Sequence, residues 1–261
     1  MVADGQPTSL RDMFSEVSGG SLSLLTVNRT RPEQVQNLLA DAFATGSVEL
    51  SERSLPSDDD LLVLREDGEI TAVSSLDRVM RSFLLVNGDQ FTTSTRGFDE
   101  DVPAVLTGMD GTLFDLRGYP DSNKEKLLLV VISRHIERRA YEAGEGTLRA
   151  TFQRLSRLED ESGTRQVYER LAGRPLDVHV YGVPDESPTW LDATVHAGTT
   201  HEYRRSWCVV YRPPTRGGVD DPGPGPAALV AHQRAPNRWR GFWTYDRERV
   251  ERIHRYLVRS F

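Results

Sequence analysis

Cysteine and lysine are the two residue types that this chain of 261 residues nearly lacks. The one cysteine, Cys208, cannot form an internal disulfide, and it excludes a zinc site built from several thiolates. The basic residues are arginines except for two lysines, Lys124 and Lys126. This bias indicates a GC-rich coding sequence, either from a salt-adapted organism or as codon bias without functional meaning.

Long apolar runs are missing as well. The longest, Leu127 to Ile132, is far shorter than the ~18 residues of a membrane-spanning helix. The N-terminal MVADGQPTSL has no basic region followed by an apolar stretch, so we expect no secretory signal. We therefore expect a cytoplasmic protein that makes no contact with a membrane.

Charge is distributed unevenly along the chain. Residues 1–116 carry a net charge of −12, whereas residues 117–261 carry +5. This asymmetry predicts two units, an N-terminal α/β extension over 1–116 and a larger unit over 117–261. The positive charge of the second unit is weak and forms no basic stripe with aromatic residues, so we expect no nucleic-acid partner.

Hydrophobic spacing predicts alternating helices and short strands in the first unit. Asp67-Gly68 is typical of the turn of a hairpin, because both positions of such a turn require a positive φ. The other predicted elements are a helix at 8–17, a strand at 21–27, a helix opening at Pro32 and reaching Phe43, a helix at 75–86, a loop at 87–101 and a short strand or turn at 112–118.

The segment 122–143 predicts a long helix. Ser122 and Glu125 have the spacing of a capping box, and Gly144 is placed to end the helix. The first turns are apolar on all sides and should be buried on more than one side. The later turns are expected to be solvated: Arg134, His135, Glu137, Arg138 and Arg139.

The rest of the second unit reads as α+β. One helix is predicted at 164–173, and Asp246 is placed to cap a terminal helix. Strands are predicted at 147–155, 176–182, 193–198, 206–212, 227–234 and 237–246, with a Pro/Gly-rich loop at 213–226. The fold class is therefore α+β, with a mixed, largely antiparallel sheet and packed helices.

Catalytic motifs are missing from the sequence. It has no phosphate-binding glycine loop and no Ser-centred nucleophile elbow. Met109 to Thr112 faintly resembles the opening of a haloacid-dehalogenase phosphatase, but Gly108 stands where the first aspartate would be needed. We therefore predict no enzymatic activity, with a hydrolase as a distant alternative.

Metal ligands are also not expected. His196, His201 and Cys208 are near one another in sequence, but no further acidic or histidine residue at ligand spacing supports them. We predict that the protein holds no metal. Lys124 and Lys126, at the start of the long helix, either belong to an anion site or form a solvated face.

Aromatic residues are densest near the C-terminus. In the strand at 237–246, Trp239, Trp243 and Tyr245 fall on one face, and Arg240 falls on the other. A flat ligand could stack on these rings, with an arginine as its polar anchor. The candidate ligand-binding residues are Trp207, Tyr211, Trp239, Arg240, Trp243 and Tyr245. The alternative is that these rings form the core between sheet and helix.

Several stretches resemble the DICT sensory domain, over roughly residues 120–258. They are KEKLLLVVISRHIERRA, FQRLSRL, VHVYG, SWCVVY and above all RWRGFWTYD. The first hundred residues, including LTVNRTRPEQVQNLLADAF, resemble the extension of stand-alone versions from halophilic archaea. The resemblance implies an α+β sensor that regulates output modules of two-component or transcriptional signalling, with a proposed role in the response to light. It implies no catalytic residues.

The leading hypothesis is therefore a non-enzymatic sensory and regulatory module that binds a small ligand or a signalling partner. No cofactor can be named. Since no kinase or cyclase follows in the sequence, we expect the output to be a separate protein. The alternative is a protein–protein interaction scaffold without a ligand. The terminal helix is apolar over more than one stripe, so we expect part of it to contact either a second copy of the chain, in a homodimer, or the N-terminal unit.

Overall fold

The computed structural model of the protein describes residues 9–17, 22–28, 42–43, 48–54, 59–84, 98, 101–117, 126–160, 162–215 and 223–261. These ranges contain eight helices and eleven strands. The helices are α1 (Leu10–Ser15), α2 (Leu76–Leu84), α3 (Ala104–Thr107), α4 (Leu127–Ala143), α5 (Arg157–Asp160), α6 (Ser162–Ala172), α7 (His201–Arg205) and α8 (Arg247–Ser260). The strands are β1 (Leu22–Val27), β2 (Val48–Arg53), β3 (Leu61–Glu66), β4 (Glu69–Ser75), β5 (Phe114–Arg117), β6 (Thr147–Arg154), β7 (Asp177–Val183), β8 (Thr194–Ala197), β9 (Ser206–Arg212), β10 (Ala227–Ala235) and β11 (Arg238–Thr244).

The N-terminal sheet has four strands in the order β2-β1-β3-β4. Strands β1 and β2 are parallel, and the other two pairs are antiparallel. Strands β3 and β4 form the predicted hairpin. Its turn residues Asp67 and Gly68 both have a positive φ, 49° and 90°, as a two-residue type I′ hairpin turn requires.

The C-terminal sheet has seven strands in the order β5-β11-β10-β9-β6-β7-β8. The pairs from β5 to β6 are antiparallel, whereas β6, β7 and β8 run parallel to one another. The helical connection through α5 and α6 brings the chain from β6 back to the parallel strand β7. The predicted fold class, α+β with a mixed, largely antiparallel sheet, is confirmed.

The seven-stranded sheet is the middle layer of three. Successive residues of its central strands face opposite sides, as the pleat of a strand requires. Val209 and Trp243 lie in the core cluster that includes α4 and α6. Cys208 and Phe242 lie in a second cluster, with α1 and α8. The sheet therefore carries α4 and α6 on one face and α1 and α8, with the short helix α7, on the other.

The ends of the two longest helices follow the sequence signals. Helix α4 ends at Gly144, whose φ of 65° is a left-handed conformation that costs glycine little. Helix α8 begins after Asp246, whose carboxylate accepts a hydrogen bond from the backbone amide of Arg249 at 2.8 Å. The capping box predicted at Ser122 and Glu125 lies outside the described residues.

Other predictions fall wholly or partly outside the described ranges, namely most of the helix at 32–43, most of the loop at 87–101 and part of the loop at 213–226. Three short helices, α3, α5 and α7, and the strand β2 were not predicted. The domain boundary between residues 116 and 117 stays a prediction. It falls within β5, which pairs with β11 in the C-terminal sheet. None of the described helices is both long and apolar enough to cross a membrane.

Candidate functional site

A cavity of about 50 Å³ lies between helices α4 and α6 and strands β6 and β9. At 10–15 Å³ for each water, this space accommodates a few water molecules. Its wall combines apolar, aromatic and charged side chains: Val130, Ser133, Arg134, Glu137, Ala150, Thr151, Phe152, Gln153, Arg157, Thr164, Tyr168, Trp207 and Val209. A mostly apolar space with a few convergent polar groups is the usual composition of a small-molecule site.

A buried ion pair forms the polar part of this wall. Arg134 and Glu137 are one helical turn apart on α4, and they are only 4% and 2% exposed. Nη1 of Arg134 donates to the Glu137 carboxylate. Its Nη2 donates to the hydroxyl of Thr164 on α6 at 2.8 Å. The pair therefore connects the two helices that border the cavity.

Tyr168 of α6 completes this network. Its hydroxyl donates to Oε1 of Glu137 at 3.0 Å. Burial and the neighbouring carboxylate raise the pKa of Tyr168 well above its ordinary value. The phenol therefore stays protonated and remains a donor to Glu137.

One donor of the network is left unsatisfied. Nε of Arg134 is buried and has no hydrogen-bond partner among the described residues. An unpaired buried donor on a charged group costs free energy that a hydrogen-bond acceptor would recover. Because Arg134 lines the cavity, an acceptor oxygen placed there is the group that this site lacks.

Aromatic rings border the same space. Trp207 of β9 is half-buried, and its Nε1 donates to the hydroxyl of Ser133 on α4 at 2.9 Å. Phe152 of β6 packs edge-on against Tyr168, with 5.1 Å between the ring centroids. The cavity thus offers both a ring surface and polar groups to a bound molecule.

Strand β6 is irregular where it passes the cavity. Gln153 is buried and has a φ of 58°, a conformation that few residues other than glycine adopt. Its pairing with β7 shifts register between Thr151 and Arg154. Bulges and strained residues of this kind are found preferentially at functional sites, because they re-aim a side chain.

The six ligand-binding residues predicted from the sequence do not line one common cavity in the structure. Trp207 lines the cavity. Tyr211, Trp239 and Trp243 are fully buried in the core cluster of the α4 face. Trp239 and Trp207 are in edge-on contact, with 5.9 Å between their ring centroids. A ligand role for these residues stays a prediction.

Tyr245 and Arg240 have other neighbours. Tyr245 lies beneath Arg139 of α4, whose guanidinium carbon is 5.1 Å from the ring centroid, and its edge meets the ring of His135. Arg240 forms an ion pair with Asp115 of β5, with Nε 2.9 Å from Oδ1. Arg240 thus already has a carboxylate partner within the protein.

The predicted solvation of α4 is wrong at two positions. Arg134 and Glu137 were expected on a solvated face, but α6 covers them. Opposite charges three residues apart on a helix are equally typical of an exposed face, so the local sequence carries no signal for this burial. The anion site considered at Lys124 and Lys126 lies partly outside the described residues.

A comparison with protein families finds one match. Residues 104–219 match the model of DICT, the sensory domain in diguanylate cyclases and two-component system. All the residues that line the cavity fall within this match. The aromatic strand β11 lies outside it. No curated protein and no solved structure matches the chain.

Proposed function

We propose, on the match of residues 104–219 to the DICT sensory domain, that the chain is a non-enzymatic sensory module whose cavity between α4, α6, β6 and β9 binds a small ligand. The observation that carries this proposal is the unsatisfied Nε of Arg134 in the cavity wall. A sensor needs a pocket and an element with two arrangements, and it needs no set of titrating catalytic groups.

The chemistry of the wall selects the class of ligand. Trp207 and Phe152 favour a ring that can stack on or pack against them. Arg134 and Arg157, which both line the cavity, favour a carboxylate or carbonyl oxygen on that ring. The ligand we propose is therefore a small aromatic or heteroaromatic molecule with an acceptor oxygen.

The size of the cavity supplies a mechanism for signalling. A ring the size of benzene is held in an engineered cavity of about 150 Å³. This cavity measures about 50 Å³, so a ring must displace one of its walls. Since α6 is joined to α4 through Thr164 and Tyr168, entry of the ligand would shift these helices relative to each other.

Helix α4 is placed to pass this shift to the N-terminal unit. Its solvent side carries Arg138, whose Nη1 lies 2.8 Å from Oδ1 of Asp101. Helix α4 also packs against α2. A displacement of α4 at the cavity would therefore alter the contacts that a separate output protein could read. Regulation of such a partner, and self-association as a homodimer, remain part of this proposal.

Tryptophan emission tests ligand binding at this cavity. We would titrate the protein with benzoate, indole-3-carboxylate, flavin mononucleotide and cyclic nucleotides. Binding should change the emission saturably in the wild type, and Trp207→Phe should abolish most of that change. The matched control is Trp190→Phe. Nε1 of Trp190 donates a hydrogen bond to Glu159, and its ring contacts the guanidinium of Arg165. Trp190 does not line the cavity, so its replacement should leave the change in emission intact.

Two outcomes would contradict the ligand proposal. One is the absence of saturable binding for every probe, together with no small molecule released from the purified protein by denaturation. The other is a response that survives Trp207→Phe and disappears with Trp190→Phe. A coloured molecule released by denaturation would extend the proposal to the sensing of light.

A scaffold that binds only other proteins is the second candidate function. Full burial of Trp239, Trp243 and Tyr211 favours it, because rings packed in a core present no surface to a ligand. The first candidate is preferred because the cavity at Arg134 is separate from those rings. The probe titration decides between them.

A further inference from the structure

A second group of ligand-type side chains lies on the opposite face of the sheet from the cavity. His201 and Glu202 begin the short helix α7, and His232 lies on β10. Each can offer one nitrogen or carboxylate oxygen such that the three atoms all lie within 4.8 Å of one another. Residues more than thirty positions apart in sequence are therefore assembled into one cluster.

His232 is the fixed member of this group. It is 1% exposed, and its Nδ1 has no hydrogen-bond partner among the described residues. Its ring centroid lies 5.7 Å from that of His201. A buried imidazole nitrogen without a partner is a group that a metal ion would satisfy, and imidazole is the commonest metal ligand in proteins.

His201 and Glu202 are the adjustable members. His201 is exposed and Glu202 is half-buried. The Ser206 hydroxyl lies 2.6 Å from the backbone carbonyl of Glu202 and 3.4 Å from its carboxylate, so its single proton is donated to the carbonyl. The carboxylate therefore keeps its lone pairs open to a cation.

We propose that His201, Glu202 and His232 bind a divalent transition-metal ion of the zinc class. Two imidazoles and one carboxylate form a donor set that suits zinc, cobalt and nickel better than magnesium or calcium. Three protein ligands leave the remaining coordination position to water.

Coordination requires the three donor atoms to come closer together. Zinc bonds of 2.0–2.2 Å place tetrahedral ligands about 3.4 Å apart, so separations of up to 4.8 Å must shorten. His201 and Glu202 can make this movement because both belong to a short surface helix. The positive charges of Arg11, Arg205 and Arg234 oppose the ion, and the Glu202 carboxylate offsets part of that cost.

The bound ion would fasten α7 to the centre of the sheet. Tyr203 of the same helix donates its hydroxyl proton to the backbone carbonyl of Phe261, at the end of the chain. A metal at the base of α7 would thus steady both this helix and the C-terminal residue. The proposal replaces the sequence-based prediction that no metal binds.

Metal titration of untagged protein tests the proposal. We would dialyse the protein against a chelator, titrate it with Zn²⁺ by calorimetry, and record visible absorption with Co²⁺. We expect one equivalent of each ion and a rise in the melting temperature. His201→Ala and Glu202→Gln should each weaken binding about tenfold or more, since even outer-shell changes cost 10–100-fold.

The choice of variants keeps the test interpretable. His232→Ala empties a buried position and could prevent folding, so the two surface ligands carry the test. His196→Gln is the matched control. It removes a histidine that stacks on Tyr181 and is outside the trio, and it should leave binding unchanged. Absence of stoichiometric binding would overturn the proposal. So would equal affinity in wild type and both ligand variants, or loss only in His196→Gln.

Discussion

Tyr168 and Glu137 are joined by a buried hydrogen bond of 3.0 Å that links helix α6 to helix α4 across one wall of the cavity. The Glu137 carboxylate also accepts a hydrogen bond from Arg134, so it has two donors although it is only 2% exposed. Such a bond to a charged acceptor contributes about 1.5–3 kcal/mol, and its removal leaves a buried carboxylate less satisfied. The two helices are therefore held together by polar contacts as well as by packing.

Tyr168→Phe should lower the free energy of unfolding by about 1.5–3 kcal/mol, because the ring stays while the donor to Glu137 is lost. Urea denaturation measures the change. Tyr141→Phe is the control. The described contacts of Tyr141 are made by its ring, with Phe98, Arg170 and Arg174, so this change should cost much less. Equal costs for both variants would show that the Glu137 hydrogen bond adds nothing measurable.

Trp243→Ala should destabilise the protein by about 3–5 kcal/mol, the usual effect of emptying a buried aromatic position. Trp243 is fully buried and packs against Phe43 and Phe114. The same variant also tests the sequence-based ligand prediction for the aromatic strand. A small loss of stability combined with loss of probe binding would place the ligand at Trp243 rather than at Trp207.

Gly241→Ala should destabilise the sheet by about 1–3 kcal/mol through overpacking. A Cβ at this position would lie 2.6 Å from both the carbonyl oxygen of Val230 and the ring of Phe114. Gly173→Ala is the matched control, because its nearest neighbours would lie 3.5 Å away. Thermal denaturation of the two variants gives the comparison. A Gly241→Ala protein as stable as wild type would show that β5 and β10 can move apart freely.

Stability should fall as the pH is lowered from about 6.5 towards 4. Burial, with positive neighbours, lowers the pKa of both His135 and His254 to about 4. The unfolded chain therefore binds protons in this window that the folded protein does not, and stability rises with pH across it. For His254 the facing charged groups are Arg212, Arg149, His179 and Asp177.

His254→Gln isolates one of these contributions. The variant cannot gain a proton at position 254, so its loss of stability between pH 6.5 and 4 should be smaller than that of the wild type. Denaturant titrations at several pH values measure both slopes. Parallel slopes for the two proteins would show that His254 titrates normally in the folded state.

Much of the fold follows from patterns that are local in the sequence. The two-residue alternation at 237–246 predicts β11, because neighbouring side chains of a strand point to opposite faces. Asp67-Gly68 predicts its hairpin and Asp246 predicts the start of α8, since turns and caps depend on residues within a few positions. These features need no knowledge of what the elements pack against.

The candidate sites depend on contacts between distant segments. Arg134 and Glu137 look solvated on an isolated helix, and only the approach of α6 turns them into a buried pair. Trp207, Trp239 and Trp243 are alike in the sequence, yet only Trp207 among them lines the cavity. Nothing in a local pattern distinguishes these positions.

The sequence by itself determined the longer helices and most strands of this protein, their periodicity and its family resemblance. Which faces became core, cavity or ligand cluster was decided by the tertiary structure. Strand β9 follows α7 directly in the chain, and its first residue, Ser206, pairs with His232 of β10. This pairing brings His232 close to His201, although the two histidines are far apart in sequence. Side-chain alternation and turn conformation depend on residues that are close in sequence. Burial and contacts between distant side chains depend on the order of strands in the sheet and on helix packing.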